Sequence, residues 1–256
     1  MPAPDQPKDY PLPVRVFATR REMGAAAAAD VADFLRAKIG IAGHGVRVIF
    51  AAADSQRDML ESLIADQRLD WGRITAFHMD EYIGLPADAP QRLGNWLKRE
   101  LIERVPIGRF HAISPEFGVE AAIEHYERLL AEAPIDAVCL GIGVNGHLAF
   151  NEPGSATDLQ DRNWLKEIGL DPVSRQQQVD EGNFPSIAAM PETAITLTVP
   201  CLLSGERLFC MVPGKVKAPA LRRALRDPIG PDCPATALRR HAHCTLYCDR
   251  GALSDE

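Results

Sequence analysis

Residues 135–155 read IDAVCLGIGVNGHLAFNEPGS. The opening run, IDAVCLGIG (135–143), is short, apolar and ends on glycines. Such a run, bounded by turn signals, reads as a strand buried on both faces. GIGVNG, with Gly141, Gly143 and Gly146, matches G-x-G-x-x-G. That pattern suits a dinucleotide only between a strand and a helix. Here Pro153 and Gly154 follow too soon for a helix, so the match argues against nicotinamide binding. The glycines instead allow a tight turn and a close backbone approach to a ligand. His147 follows the turn and Glu152 comes shortly after it. A histidine with carboxylates at strand ends is the raw material for proton transfer near neutral pH.

Outward from this stretch, strand and helix patterns alternate. VRVFAT (14–19), VRVIFAAA (46–53), RITAFHM (73–79) and RFHAI (109–113) read as strands. So do AITLTVPCLL (194–203), ERLFCMVPG (206–214) and CTLYCD (244–249). Helical patterns occupy 21–39, a segment carrying MLESLIADQ (59–67), 91–105, 119–133 and 217–227. Asp54 or Ser55 is placed to cap the second of these. DEYIGLPADAP (80–90) reads as a loop. The alternation predicts one α/β domain over 1–256: a Rossmann-like, three-layer α/β/α arrangement around a mainly parallel sheet. Residues 1–12 read as an extended arm, and the polar stretch 151–190 as a lid excursion. Ligands of such sheets bind at the strands' carboxyl ends. The loops 54–57, 80–86 and 141–153 all follow strands, so Asp80 and Glu81 are expected beside His147 and Glu152.

Composition narrows the function classes. The chain has 256 residues, 46% hydrophobic and 25% charged, with a net charge of -7. An acidic chain without a basic block is a poor partner for nucleic acid or an anionic membrane. No apolar run approaches the ~20 residues of a membrane span. The six cysteines (Cys139, Cys201, Cys210, Cys233, Cys244 and Cys248) include no C-x-x-C pair. Together with a start that lacks a signal pattern, they read as reduced thiols of a cytoplasmic protein. Cys244 and Cys248 share a strand face but would stand ~13 Å apart, too far for one metal ion. No metal is expected.

HMDEYIGLP (78–86) and LGIGVNGHLAFNEPGS (140–155) resemble the two signature segments of the glucosamine-6-phosphate deaminase (isomerase) family. The similarity extends over roughly residues 14–250. The broader superfamily also holds 6-phosphogluconolactonases and sugar-sensing domains. The resemblance implies conversion of glucosamine 6-phosphate and water into fructose 6-phosphate and ammonia, without a cofactor. It gives Asp80 the role of the base that moves a proton between C2 and C1. His147 matches the ring-opening residue and Glu152 its supporting carboxylate; Glu81 borders the base. Asn145 stands where the best-known members have Asp. It is expected to orient the imidazole by hydrogen bonding without carrying charge. Gly143 belongs to the substrate loop.

For the phosphate, Arg175 in VSRQQQ matches the family's lid arginine. Lys217 in GKVKA matches its late lysine, with Lys215 as the neighbouring register. Ser55 matches a hydroxyl residue in a small-residue loop, but Asp54 stands where that loop has glycine. A carboxylate there must point away or be offset, with Arg57 the nearby candidate. The family's habit implies a homo-oligomer. Two alternatives remain: a 6-phosphogluconolactonase-type hydrolase, and a non-catalytic sugar-phosphate sensor.

Overall fold

The computed structural model describes residues 12–42, 45–154 and 157–254. The expected arm therefore lies almost wholly outside the described residues. The main sheet is built from β1 (Val14–Phe17), β2 (Val46–Phe50), β3 (Ile74–His78), β5 (Arg109–His111), β6 (Ala137–Gly141), β9 (Arg207–Val212) and β10 (Cys244–Asp249). Its order is β1-β10-β9-β6-β2-β3-β5, and every pair runs parallel.

Alternation along each central strand feeds two separate cores. Val46, Val48 and Phe50 of β2 face one way, into a core shared with α1 (Arg20–Ala42), α2 (Arg57–Ile64) and α3 (Leu93–Glu100). Ile49, Val138, Leu140, Cys210 and Val212 face the other way. They meet α4 (Val119–Ala131), the short α6 (Val199–Leu202) and α7 (Ala218–Arg226). The three layers are thus those the alternation predicts. Cys244 and Cys248 share one face of β10, and all six cysteines are free and buried. No described helix is long and apolar enough to cross a membrane.

Two expectations are corrected. The segment after β3 is not simply a loop, because Asp80–Tyr82 forms β4. The excursion at 151–190 contains β7 (Leu165–Gly169) and α5 (Pro172–Asp180). With β8 (Thr193–Leu197) these strands make a second, antiparallel sheet in the order β4-β8-β7. Three residues are too few to show a period, and the mate of β4 lies over a hundred positions away. The Met79 carbonyl joins the sheets by accepting from Leu197 N at 2.8 Å.

The expected cap of α2 is also different. A 3-10 turn, Asp54–Gln56, precedes the helix, and neither cap residue uses its side chain. The Asp54 carboxylate instead pairs with Arg20 Nη1 at 2.6 Å and Arg57 Nε at 2.9 Å. Two guanidinium partners outcompete backbone amides for one carboxylate. The pairing needs α1 and α2 close together. Small buried residues, Ala27, Ala28 and Ala32, line that face of α1. At Gly24 a β-carbon would come within 2.5 Å of Asp58 Cβ and 2.7 Å of the Asp58 carbonyl carbon. Gly24→Val should force the helices apart and cost about 1–3 kcal/mol in urea unfolding; unchanged stability would show that the helices have room to separate.

Candidate active site

The carboxyl ends of the central strands open onto a cavity of about 300 Å³. Its walls come from the turn after β2 (Ala51–Ser55), from Met79, Asp80 and Tyr82, and from the loop after β6 (Gly141–Gly143, His147). Gly214, Val216 and Lys217 follow β9, and Gln177, Gln178 and Glu181 come from α5 and its end. Five chain segments distant in sequence therefore meet here, four of them following parallel strands of one sheet edge, as the crevice rule predicts. Among the described residues no cluster could hold a metal ion.

Asp80 lies where the chain crosses from β3 into β4, opposite Thr196 of β8. It is 7% exposed and faces the cavity. Burial, and then the neighbouring Glu81 charge, push its carboxyl up to about 8. A carboxyl so destabilised as an anion is a strong base when ionised. Glu81 points the other way. Its oxygens accept from the amides of Tyr82 at 2.9 Å and of Leu93 and Gly94 at 3.0 Å. Arg92 Nε stands 3.4 Å off. Glu81 thus holds the start of α3 against β4, and its role is structural.

His147 sits on the glycine turn closed by hydrogen bonds from Gly143 N to His147 O and from Gly146 N to Gly143 O, both 3.0 Å. A β-carbon on Gly143 would lie 2.1 Å from the imidazole. The ring rests directly on the glycine, so no other residue fits there. Its Nδ1 is 3.3 Å from Glu152 Oε2 and 2.9 Å from Ser174 Oγ. Burial opposes ionisation of Glu152, but His147, Ser174 and Asn145 outweigh it and hold the carboxyl below its ordinary value. Asn145 does not hydrogen-bond the ring, contrary to expectation. Its Nδ2 donates to Glu152 Oε2 at 2.8 Å, and its Oδ1 accepts from His147 N at 3.1 Å. At the tight turn its short side chain reaches the backbone and carboxylate rather than the imidazole. Ala149, also lining the cavity, has φ 51°, a left-handed conformation that costs a non-glycine residue energy.

At the far end Ser55 and Lys217 line the cavity, whereas Lys215 is exposed and outside the lining. Of the two lysines, Lys217 is thus the one that reaches the cavity. Burial pulls its ammonium below the ordinary lysine value, with Glu181 and Asp54 opposing. Burial also opposes ionisation of Asp54, yet Arg20 and Arg57 outweigh it and keep that carboxyl low. Arg175 is not brought to this cavity. Its Nη2 donates to Ile187 O at 2.7 Å and Met190 O at 3.0 Å, tying α5 to the turn that leads into β8. Two convergent carbonyls hold the guanidinium there.

Arg20 is one cavity residue that sequence reasoning missed. It follows β1, so the same carboxyl-end rule could have found it. Gln177, Gln178 and Glu181 lay within the predicted excursion without being singled out.

The Asp80 shift has a stability consequence. An unfolded aspartate titrates near 3.9. The folded state holds this proton more tightly, so its stabilising effect is full below pH ~4 and is lost as pH rises through about 8. Asp80→Asn should therefore gain stability over the parent as pH rises, by at least about 1 kcal/mol between pH 5 and 9 in urea unfolding. A difference independent of pH would rule out the raised carboxyl.

Comparison with known proteins agrees with this geometry. The family model of glucosamine-6-phosphate isomerases/6-phosphogluconolactonase matches residues 18–247. A glucosamine-6-phosphate deaminase of Pseudarthrobacter chlorophenolicus is 30% identical over 249 residues, covering 95% of this chain and 92% of its own. One from Streptococcus pneumoniae is 31% identical over 212 residues, 82% of this chain and 88% of its own. The solved structure of a monomeric glucosamine-6-phosphate deaminase superposes with a TM-score of 0.86 at 29% identity, over 95% of this chain and 100% of that one. The 6-phosphogluconolactonase of Leishmania guyanensis shares the fold, with a TM-score of 0.77 at 18% identity over 95% of this chain and 98% of that one. The chain belongs to the glucosamine-6-phosphate isomerase/6-phosphogluconolactonase family.

Proposed function

We propose that this protein is an enzyme that deaminates an amino sugar phosphate, converting glucosamine 6-phosphate and water into fructose 6-phosphate and ammonia. The observation that carries the reading is one cavity walled by Asp80, His147 and Lys217. A raised carboxyl, an imidazole on a carboxylate and a buried cation share it. The deaminase relatives also match at higher identity than the solved lactonases, which support the fold alone.

In this reading the sugar lies with its phosphate at Lys217 and Ser55 and its ring at His147. His147 gives a proton to the ring oxygen as the anomeric hydroxyl loses one, which opens the ring. Glu152 stabilises the imidazolium form. The resulting aldehyde acidifies the C2 proton. Asp80 removes it and returns it to C1, while the C1 oxygen gains a proton and the C2 amine loses one, leaving a hydroxyl at C1 and an imine at C2. Water adds to the imine, and ammonia leaves. Every step is proton transfer or hydration, so no cofactor enters.

The phosphate end departs from the family's glycine-rich loop at Asp54. The ion pairs to Arg20 and Arg57 answer the expected conflict, because they turn that carboxylate's charge onto two guanidinium groups. Lys217, with no salt bridge among the described residues, is left for the dianion.

The test is ammonia release from glucosamine 6-phosphate, with galactosamine 6-phosphate and a 6-phosphogluconolactone in parallel. Turnover of the galacto epimer alone would keep the mechanism and change the substrate. Lactone hydrolysis alone would establish the lactonase, and binding without turnover the sensor. Asp80→Asn should lower kcat by about 10²–10⁴-fold while substrate still binds; undiminished turnover removes Asp80 as the base. Lys217→Ala should raise KM about 10–100-fold with a smaller effect on kcat, which steady-state kinetics would read directly.

A further inference from the structure

Ser174 lies in the first turn of α5, on a different segment from the loop that carries His147. It is 2% exposed, so its hydroxyl is held among protein groups. That hydroxyl is 2.9 Å from His147 Nδ1, closer than the Glu152 oxygen at 3.3 Å. The same Glu152 Oε2 is also taken by Asn145 Nδ2. A second contact joins α5 to the histidine turn: Val144 N donates to Gln177 Oε1 at 3.3 Å. The ring, meanwhile, rests against Gly143. What backbone packing leaves open is which ring nitrogen carries the proton.

We propose that Ser174 is a positioning residue for His147, delivered by α5. Its oxygen accepts from Nδ1–H while its own proton goes to the Glu152 carboxylate. Nδ1 stays protonated in the neutral imidazole, and Nε2 keeps the lone pair that exchanges a proton with the sugar. Docking of α5 over the cavity thereby completes the acid–base pair as well as covering the substrate. The hydroxyl suits this position because a single oxygen can accept from the ring and donate to the carboxylate. Asn145 commits its amide to Glu152 and to the His147 backbone N–H, and an ionised Glu152 only accepts. The proposal rests on the reading of His147 as the ring-opening residue.

The test joins a structural readout to a kinetic one. The imidazole nitrogens of ¹⁵N-histidine-labelled protein distinguish the two tautomers, and a His147→Gln variant assigns the His147 signals among the seven histidines. In Ser174→Ala the His147 signals should move towards a mixture of tautomers. With glucosamine 6-phosphate, kcat should fall about tenfold and KM change less than about twofold. Gln176→Ala, on the exposed side of the same helix, should change neither. An unchanged tautomer in Ser174→Ala overturns the proposal, and so does an unchanged kcat in an active enzyme. If the parent protein releases no ammonia, the functional reading fails, and the tautomer comparison alone still decides whether Ser174 holds the ring. Should the alanine variant not fold, Ser174→Cys, which fills similar space with a weak hydrogen-bonding group, reads the same way.

Discussion

The peptide at Met79 stitches two sheets together, and the site depends on that junction. β3 ends at His78 and β4 begins at Asp80, with the Met79 carbonyl accepting from Leu197 in between. The chain is therefore held on both sides of a single residue. Asp80 inherits this rigidity from the backbone and needs no side-chain partner to stay in place. Its surroundings are apolar enough to raise its carboxyl, while Glu81, one residue on, is turned into structural hydrogen bonds. Two adjacent acids thus sit in opposite surroundings, and in the proposed reading the first is the base. A base placed by sheet geometry is as accurate as the sheet itself.

The second fixed point is the contact between Gly143 and the His147 ring. The turn is hydrogen-bonded to itself, and the imidazole lies where a side chain would otherwise be. This explains why a G-x-G-x-x-G match has nothing to do with a dinucleotide here. Its glycines make space for a histidine, and Gly146, with φ 95°, lets the chain turn back tightly. Around the ring, Asn145 and Glu152 of the loop after β6 and Ser174 of α5 share a few oxygen atoms. An amide at Asn145 can bridge backbone and carboxylate, so a charge is not required for that task.

At the opposite end charge is managed by pairing. An acidic chain that binds an anion must keep its own carboxylates from competing. Asp54 is occupied by Arg20 and Arg57, and the close approach of α1 and α2 at Gly24 lets Arg20 reach it. Lys217 is buried and loses part of its hydration, which in the proposed reading readies it for a phosphate. The helix packing and the electrostatics of the cavity are thus one arrangement.

Much of this was legible in the sequence. The buried strands of VRVIF and AVCLG, the helices between them and the loops at their carboxyl ends follow from periodicity and turn chemistry. These local signals put the loops carrying Ser55, Asp80, His147 and Glu152 at one edge, and the family resemblance added Lys217. Other features were not legible because their causes are distant in the chain. β4 is three residues long and exists because β8 pairs with it. Arg175 resembled a ligand residue, yet the carbonyls of Ile187 and Met190 hold it. Asn145 was expected on the ring and lies on its carboxylate. Sequence alone determined the layers, the edge at which chemistry is placed and the residue types available for it, since these depend on neighbours a few positions apart. Tertiary structure alone decided which side chains meet, which charges cancel and which carboxyl is raised, because those depend on distance and dielectric between segments that the chain order leaves far apart.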